Sequence, residues 1–423
     1  MTAPPTAPRT THRVSPWELF RNVNYSCLWL AGGFIGTIRW LELLVISIYV
    51  YEITGSPFLT ALMTFFRLLP MVLLGAVIGA VAERLNRRIL MLSGLGVLMV
   101  TTTVLSALAY TGNLEIWHAA IGAFLGGTVH TSEFPIRRIM VAEIAGSKRS
   151  AAALAFDSLT NNTTRLIGPI SGGVLYDIIG LYGAYTLCAA LYAVSFLLVW
   201  RVAYTAESQS TGASASYLTN IVEGFRFVRQ RRMIVGTLLV TVIINMFAVP
   251  FSAMVPVIGK EKLELSASLI GALATTEGLG AFLGAVLIAL LQPKNFPRTY
   301  LLGSFLFLAG VAVFAQSDTL IFAFGVLLVA GFGHAGFSTT QSAIIFGAAS
   351  PEMRSRMLGV LATSIGGGPI GVLHLGWLAN NIGGPWALTI VAIEGFVLLG
   401  FVAVIYPELF RGGPLAVNGK AAE

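Results

Sequence analysis

Apolar runs about the length of a bilayer-crossing helix, separated by short polar breaks, recur from one end of the 423-residue chain to the other. The pattern predicts spans at 27–50, 57–82, 89–110, 116–138, 151–176 and 183–202, then at 234–257, 267–291, 299–316, 320–346, 357–379 and 385–406. The implied fold class is an all-α polytopic membrane protein with 12 transmembrane helices. Polar stretches divide the chain into a tail (1–24), a six-helix bundle (25–202), a linker (203–233), a second six-helix bundle (234–406) and a closing tail (407–423). The linker opens on a Ser/Thr/Ala-rich stretch. It continues as Tyr217 to Arg232, apolar on one face and basic on the other, which predicts an interfacial helix.

Composition agrees. Hydrophobic residues make up 56% of the chain and charged residues 11%, too little charge to cover a soluble surface. Cys27 and Cys188 both fall in apolar runs, so neither a disulfide framework nor a zinc site is expected. The Pro/Thr-rich start, Met1 to Val14, carries no signal-peptide pattern and is expected to be a cytoplasmic tail.

Charge distribution predicts orientation. With both termini inside, 21 Lys and Arg fall in cytoplasmic segments and 2, Lys260 and Lys262, in outer loops. This is the asymmetry the positive-inside rule describes. The net charge of +7 is thereby explained by anionic lipid facing the arginine-rich loops rather than by nucleic acid.

The two halves echo each other. Gly75-Ala-Val-Ile-Gly79-Ala-Val in span 2 returns as Gly280-Ala-Phe-Leu-Gly284-Ala-Val in span 8, Arg149-Ser150 returns as Arg354-Ser355, and Gly168-Pro169-Ile170 in span 5 returns as Gly368-Pro369-Ile370 in span 11. Three matches at an offset of 200 to 205 positions predict a duplicated six-helix unit with a mid-membrane site between the copies.

A compact cluster, Gly79-Ala-Val-Ala-Glu83-Arg84-Leu-Asn86-Arg87-Arg88, joins spans 2 and 3. It resembles the G-x-x-x-D-R-x-G-R-R/K loop of the major facilitator superfamily, with Glu83 for Asp and Asn86 for Gly. Leu19-Phe-Arg-Asn22, Tyr51-Glu-Ile-Thr-Gly-Ser-Pro57 and Gly224-Phe-Arg-Phe-Val-Arg229 are similar to the bacterial branch that contains the enterobactin exporter. Gly168-Pro169-Ile-Ser-Gly172-Gly173 resembles the G-P-x-x-G-G motif of the superfamily's exporters, with Thr164 where a further Gly usually stands. The resemblance implies the major facilitator fold and a latch at Gly79, Glu83, Arg84, Arg87 and Arg88 that closes the cytoplasmic side. The residues alone also admit a purely topogenic role for these arginines. Likewise Gly168, Pro169, Gly172 and Gly173 admit either a functional helix bend or close helix packing.

Charges inside apolar spans are costly and normally face a cavity or a partner. They are Arg39 and Glu42 in span 1, Arg67 in span 2, His130 and Glu133 in span 4, Arg165 in span 5, Glu277 in span 8, His334 in span 10 and Glu394 in span 12. Arg39, Glu42, Arg67, His130, Glu133, Arg165, Glu277 and His334 are the candidates for proton coupling and the substrate cavity. Arg39 and Glu42 stand three apart, so an intrahelical ion pair is the alternative there. Related exporters commonly carry a span-1 acid where this chain has Arg39, which leaves Glu42 or Glu277 as its replacement. Glu394, on an outer helix, is expected to be structural.

No phosphate-binding loop is present, and neither is a nucleophile–base or metal-ligand constellation. The expectation is a non-enzymatic secondary transporter without cofactor, metal or nucleic-acid partner, monomeric in a bacterial inner membrane. Its predicted activity is proton-coupled export of a small organic molecule such as a siderophore, metallophore or drug by alternating access. An importer or uniporter, or a non-transporting sensor on the same fold, are the alternatives.

Overall fold

A computed structural model describes residues 16–147, 149–204, 226–229, 231–348 and 353–411, without the side chains of 16, 17, 76–84, 346, 348, 354, 355 and 358. All regular structure among the described residues is helical. Span 1 is Val23–Thr54, span 2 Pro57–Arg84, span 3 Arg87–Tyr110 and span 4 Ile116–Ala145. Spans 5 and 6 form one continuous helical run, Ser150–Arg201, broken only at Gly180, whose left-handed φ of 66° turns the chain. Span 7 is two helices, Arg232–Phe247 and Phe251–Glu261. Spans 8, 9 and 10 are Ala267–Leu291, Phe296–Ala315 and Leu320–Ala348. Span 11 is Arg354–Ile365 plus Gly368–Ile382, and span 12 is Gly384–Ile405.

Among the described residues, ten helical segments are long and apolar enough to cross a membrane; one of them holds spans 5 and 6, and span 4 completes the twelve. Span 4 carries Glu133, Arg137 and Arg138, which lower its mean hydropathy. It runs to Ala145 rather than to 138, because these charges are paired within and beside the helix. Arg137 is therefore a buried residue, 5% exposed, and not the loop residue that the charge count makes it. Breaks in spans 7 and 11 fall where the chain carries Pro250 and Gly366-Gly367-Gly368-Pro369, residues that interrupt a helix ladder.

Caps explain where the spans start. Asn22 accepts hydrogen bonds from the backbone of Asn24 and Tyr25 at the head of span 1. Asn86 does the same for Arg88 and Ile89 at the head of span 3. The departure from glycine at Asn86 thus supplies a helix cap. Most of the 203–233 linker, including the expected interfacial helix, lies outside the described residues.

Two buried apolar cores correspond to the two halves. One is built from residues between Leu19 and Val202. The other lies between Val240 and Leu409 and takes in Leu44, Ile48 and Ala61 from the first half. Hydrogen bonds and ion pairs between described residues of the two halves lie at mid-span or toward the end opposite the arginine-rich loops. Tyr51 and Glu52 meet Glu261 and Lys260 there, Ser56 meets Asn380, and Asp177 meets Ala267 and Ser268. The molecule is closed at that end.

Candidate functional site

Between the halves lies a cavity of about 130 Å³, lined from spans 1, 2, 5, 7, 8, 9 and 10. Its polar centre joins three helices. Arg165 of span 5 donates to Oε2 of Glu277 in span 8 at 2.6 Å, and Nδ1 of His334 in span 10 lies 2.5 Å from Oε1 of the same carboxylate. Glu277 is 3% exposed. Phe307 of span 9 stacks on the His334 ring at 4.8 Å, and the Arg165 guanidinium lies over the Trp40 ring. Gly278 leaves room for the Arg165 and Leu166 side chains, which a Cβ there would approach to 3.6 and 3.3 Å. At mid-span the arrangement ties the halves together through a charge pair whose acid is buried and whose arginine is partly exposed.

Glu42 and Arg67 do not face this cavity. Oε2 of Glu42 accepts from Arg67 at 3.5 Å and from the Tyr192 hydroxyl at 3.4 Å, inside the first half. Arg67 also donates to the Arg39 carbonyl, and the backbones of spans 2 and 4 meet at Gly127 because it has no Cβ. The Arg39 side chain reaches Asn161 of span 5 at 3.1 Å. The i, i+3 spacing of Arg39 and Glu42 therefore produces no ion pair, since each side chain finds a partner on a neighbouring helix. Glu42 borders a pocket of about 20 Å³ with Thr101, Thr102 and Tyr185, and its Oε1 has no hydrogen-bond partner among the described residues.

Glu133 belongs to a third group, nearer the arginine-rich end. It pairs with Arg137 at 2.6 Å, Arg137 pairs with Asp157 of span 5, and Arg138 approaches Asp157 at 3.8 Å. Asp157, 1% exposed, escaped the sequence reading although an acid inside an apolar span was the available signal. His130 of span 4 is half-buried, and neither ring nitrogen has a hydrogen-bond partner among the described residues. Glu394 pairs with His374 across spans 11 and 12 at 2.8 Å, a structural tie whose histidine was not singled out in the sequence.

The side chains of Glu83 and Arg84, and the surroundings of Gly79, lie outside the described residues. Arg87 pairs with Glu143 at 2.5 Å and donates to the Tyr204 hydroxyl at 2.9 Å. Burial and the adjoining Glu143 carboxylate raise the Tyr204 pKa. Arg88 donates to the carbonyls of Val199 and Trp200. All these partners lie in the first bundle or at the start of the linker, so Arg87 and Arg88 brace spans 3, 4 and 6 and meet no second-half partner among the described residues.

The Gly168–Gly173 motif is a packing surface on two sides. Gly168 and Gly172 lie against span 1 at Thr37, Trp40 and Leu41, and Gly173 meets the Ala267 carbonyl at the head of span 8. Reciprocally, Gly271 of span 8 meets the Pro169 carbonyl. Just beyond, Asp177 accepts the backbone N–H of Ala267 at 3.0 Å and of Ser268 at 2.8 Å. Sequence reasoning missed this acid, which caps a helix of the opposite half.

The sequence profile of the transmembrane secretion effectors matches residues 14–411, nearly the whole chain. The chain belongs to this family of major facilitator superfamily transporters. A staphyloferrin A transporter of Staphylococcus aureus is 23% identical over 375 residues, 87% of this chain and 91% of its own. Macrolide efflux protein A of Streptococcus pyogenes is 20% identical over 378 residues, 86% of this chain and 91% of its own. The match to the Bacillus subtilis MFS-type transporter YfiS, 24% identical, spans about half of each chain, 53% and 54%. Among solved structures, a bacterial homologue of the human lysosomal transporter Spinster, inward-facing and unoccupied, superposes with a TM-score of 0.71 at 15% identity over 92% of this chain and 96% of that one. The nucleoside transporter NupG does so with 0.68 at 13% identity over 90% and 99%. These structures establish the major facilitator fold, and the family makes the protein a multi-pass membrane transporter rather than an enzyme.

Proposed function

We propose that this transporter is a proton-coupled exporter of a small organic molecule, of the siderophore, metallophore or drug type, in a bacterial cytoplasmic membrane. The arginine-rich end and both termini lie on the cytoplasmic side. The observation that carries the reading is the Arg165–Glu277 pair across the cavity. A proton on Glu277 discharges the carboxylate and frees Arg165, so protonation and the tie between halves are one event. With the far end closed, the cavity opens toward the cytoplasm, and cargo enters from there. The relatives named for a siderophore and for macrolide efflux support the cargo class.

The test is uptake into everted membrane vesicles with an acid lumen, using a macrolide and staphyloferrin A as candidate cargoes. Accumulation that collapses with the pH gradient and vanishes in Glu277→Gln, at normal levels of inserted protein, is the expected result. Gradient-driven loss from preloaded vesicles points instead to an importer. Accumulation by Glu277→Gln at the wild-type rate removes Glu277 from coupling.

A further inference from the structure

Among the described residues the cavity wall carries two of fixed opposite charge, Arg165 from the first half and Glu277 from the second, and they hold each other. Any cargo that settles between the halves must deal with that pair. A cargo with a single positive charge takes Glu277 and strands the guanidinium. One with a single negative charge takes Arg165 and leaves Glu277, 3% exposed, with His334 alone. In both cases the pair is broken and one member loses its oppositely charged partner, a cost that falls away when the cargo brings both charges.

We propose that the cargo carries both charges, as an aminocarboxylate with an apolar body, and inserts between Arg165 and Glu277. This assignment rests on reading the cavity as the cargo site. The cargo ammonium replaces the guanidinium on Glu277 while the cargo carboxylate follows Arg165, so every charge keeps a partner and the net charge of the site is unchanged. The two side chains differ in the way this exchange requires. Glu277 is fixed, one oxygen on His334 at 2.5 Å, whereas the Arg165 side chain is 31% exposed and lies over the Trp40 ring at 5.7 Å. Arginine is also the side chain that grips a carboxylate with two parallel bonds. Around the pair the wall is apolar and aromatic, with Leu43, Leu44, Val249, Phe251, Val255 and Phe307, which fits an apolar body beside the two charges.

Three probes that share one ring separate the cases: L-phenylalanine, phenethylamine and 3-phenylpropionate. Thermal stabilisation of the purified full-length protein is titrated with each at pH 7. L-Phenylalanine is expected to half-saturate at a concentration at least tenfold lower than either singly charged probe. The double substitution Arg165→Gln with Glu277→Gln, whose folding is checked by its unliganded melting curve, is expected to erase that ratio. Arg165→Lys keeps the charge and should keep the order of the three probes with weaker binding, which provides a second variant if the double one does not fold. A singly charged probe within threefold of L-phenylalanine on the wild-type protein overturns the proposal. So does a ratio that survives the double substitution, or the absence of a saturable effect from any probe. The vesicle assay does not depend on these probes, so export can hold while the charge assignment fails.

Discussion

Glu133, Arg137 and Asp157 are 4%, 5% and 1% exposed, and together they show how a charge survives inside a span. Arg137 stands between the two carboxylates, so removing it is not equivalent to removing either acid. Arg137→Gln strands Glu133, leaves Asp157 only the 3.8 Å contact to Arg138, and is expected to destabilise the protein by about 3–5 kcal/mol, the scale for breaking a buried ion pair. Asp157→Asn leaves Arg137 on Glu133 and should cost clearly less. Melting curves of the two variants in one detergent check this, and equal losses contradict it. Glu42 contrasts with this group. Its pairing with Arg67 is long, 3.5 Å, and its other oxygen has no partner among the described residues. Since it lies within the first bundle and not on the cavity, Glu42→Gln is expected to lower vesicle transport less than Glu277→Gln, and an equal loss assigns it a role in the proton path.

At the scale of helices, the closed end depends on how near spans 5 and 8 come. Gly173 and Gly271 each face a backbone carbonyl of the other span, so a side chain at either position must push the helices apart. Gly271→Val is expected to open that end. Electron–electron distances between spin labels at the exposed residues Ile53 and Ile382, one in each half, should lengthen, and an unchanged distribution places the seal elsewhere. Background labelling is small because the native Cys27 and Cys188 are both buried. Asp177→Asn removes a charge from the cap on span 8, where an anion is favoured by the helix N-terminus. It should shift the distances in the same direction by less, since the hydrogen-bonding oxygen and the glycine contact remain.

For the molecule as a whole, the orientation in the bilayer follows from arginine placement, and the structure offers good positions to measure it. Leu85 lies in the loop between spans 2 and 3, and Asp318 lies at the opposite end with its side chain 83% exposed. Cysteine at Asp318 is expected to react with a membrane-impermeant thiol reagent in intact cells, and cysteine at Leu85 only after the membrane is opened. The reverse pattern inverts the topology. Arg39, Arg67, Arg137 and Arg165 of the first half stand against its Glu42, Glu133 and Asp157, and Glu277 of the second half supplies the fourth acid. The excess positive charge of the first half is thus taken up at the seam.

The span count, the twofold repeat and the family motif were all readable in the sequence. Hydropathy summed over a window, spacing and loop charge are properties of contiguous residues, and a bilayer imposes length on each span separately. The boundaries erred where an interaction intervened: span 4 runs seven residues past its predicted end of 138 because Arg137 finds Asp157. Partners were not readable. Arg39 passes over Glu42, three positions away, for Asn161, 122 positions away, and Arg165 finds Glu277 at a separation of 112. Local spacing says which residues share a helical face, but it does not say what that face meets. That is decided by how closely helices approach, at contacts such as Gly127 of span 4 against span 2 and Gly173 of span 5 against span 8, and these exist only when all the spans have packed.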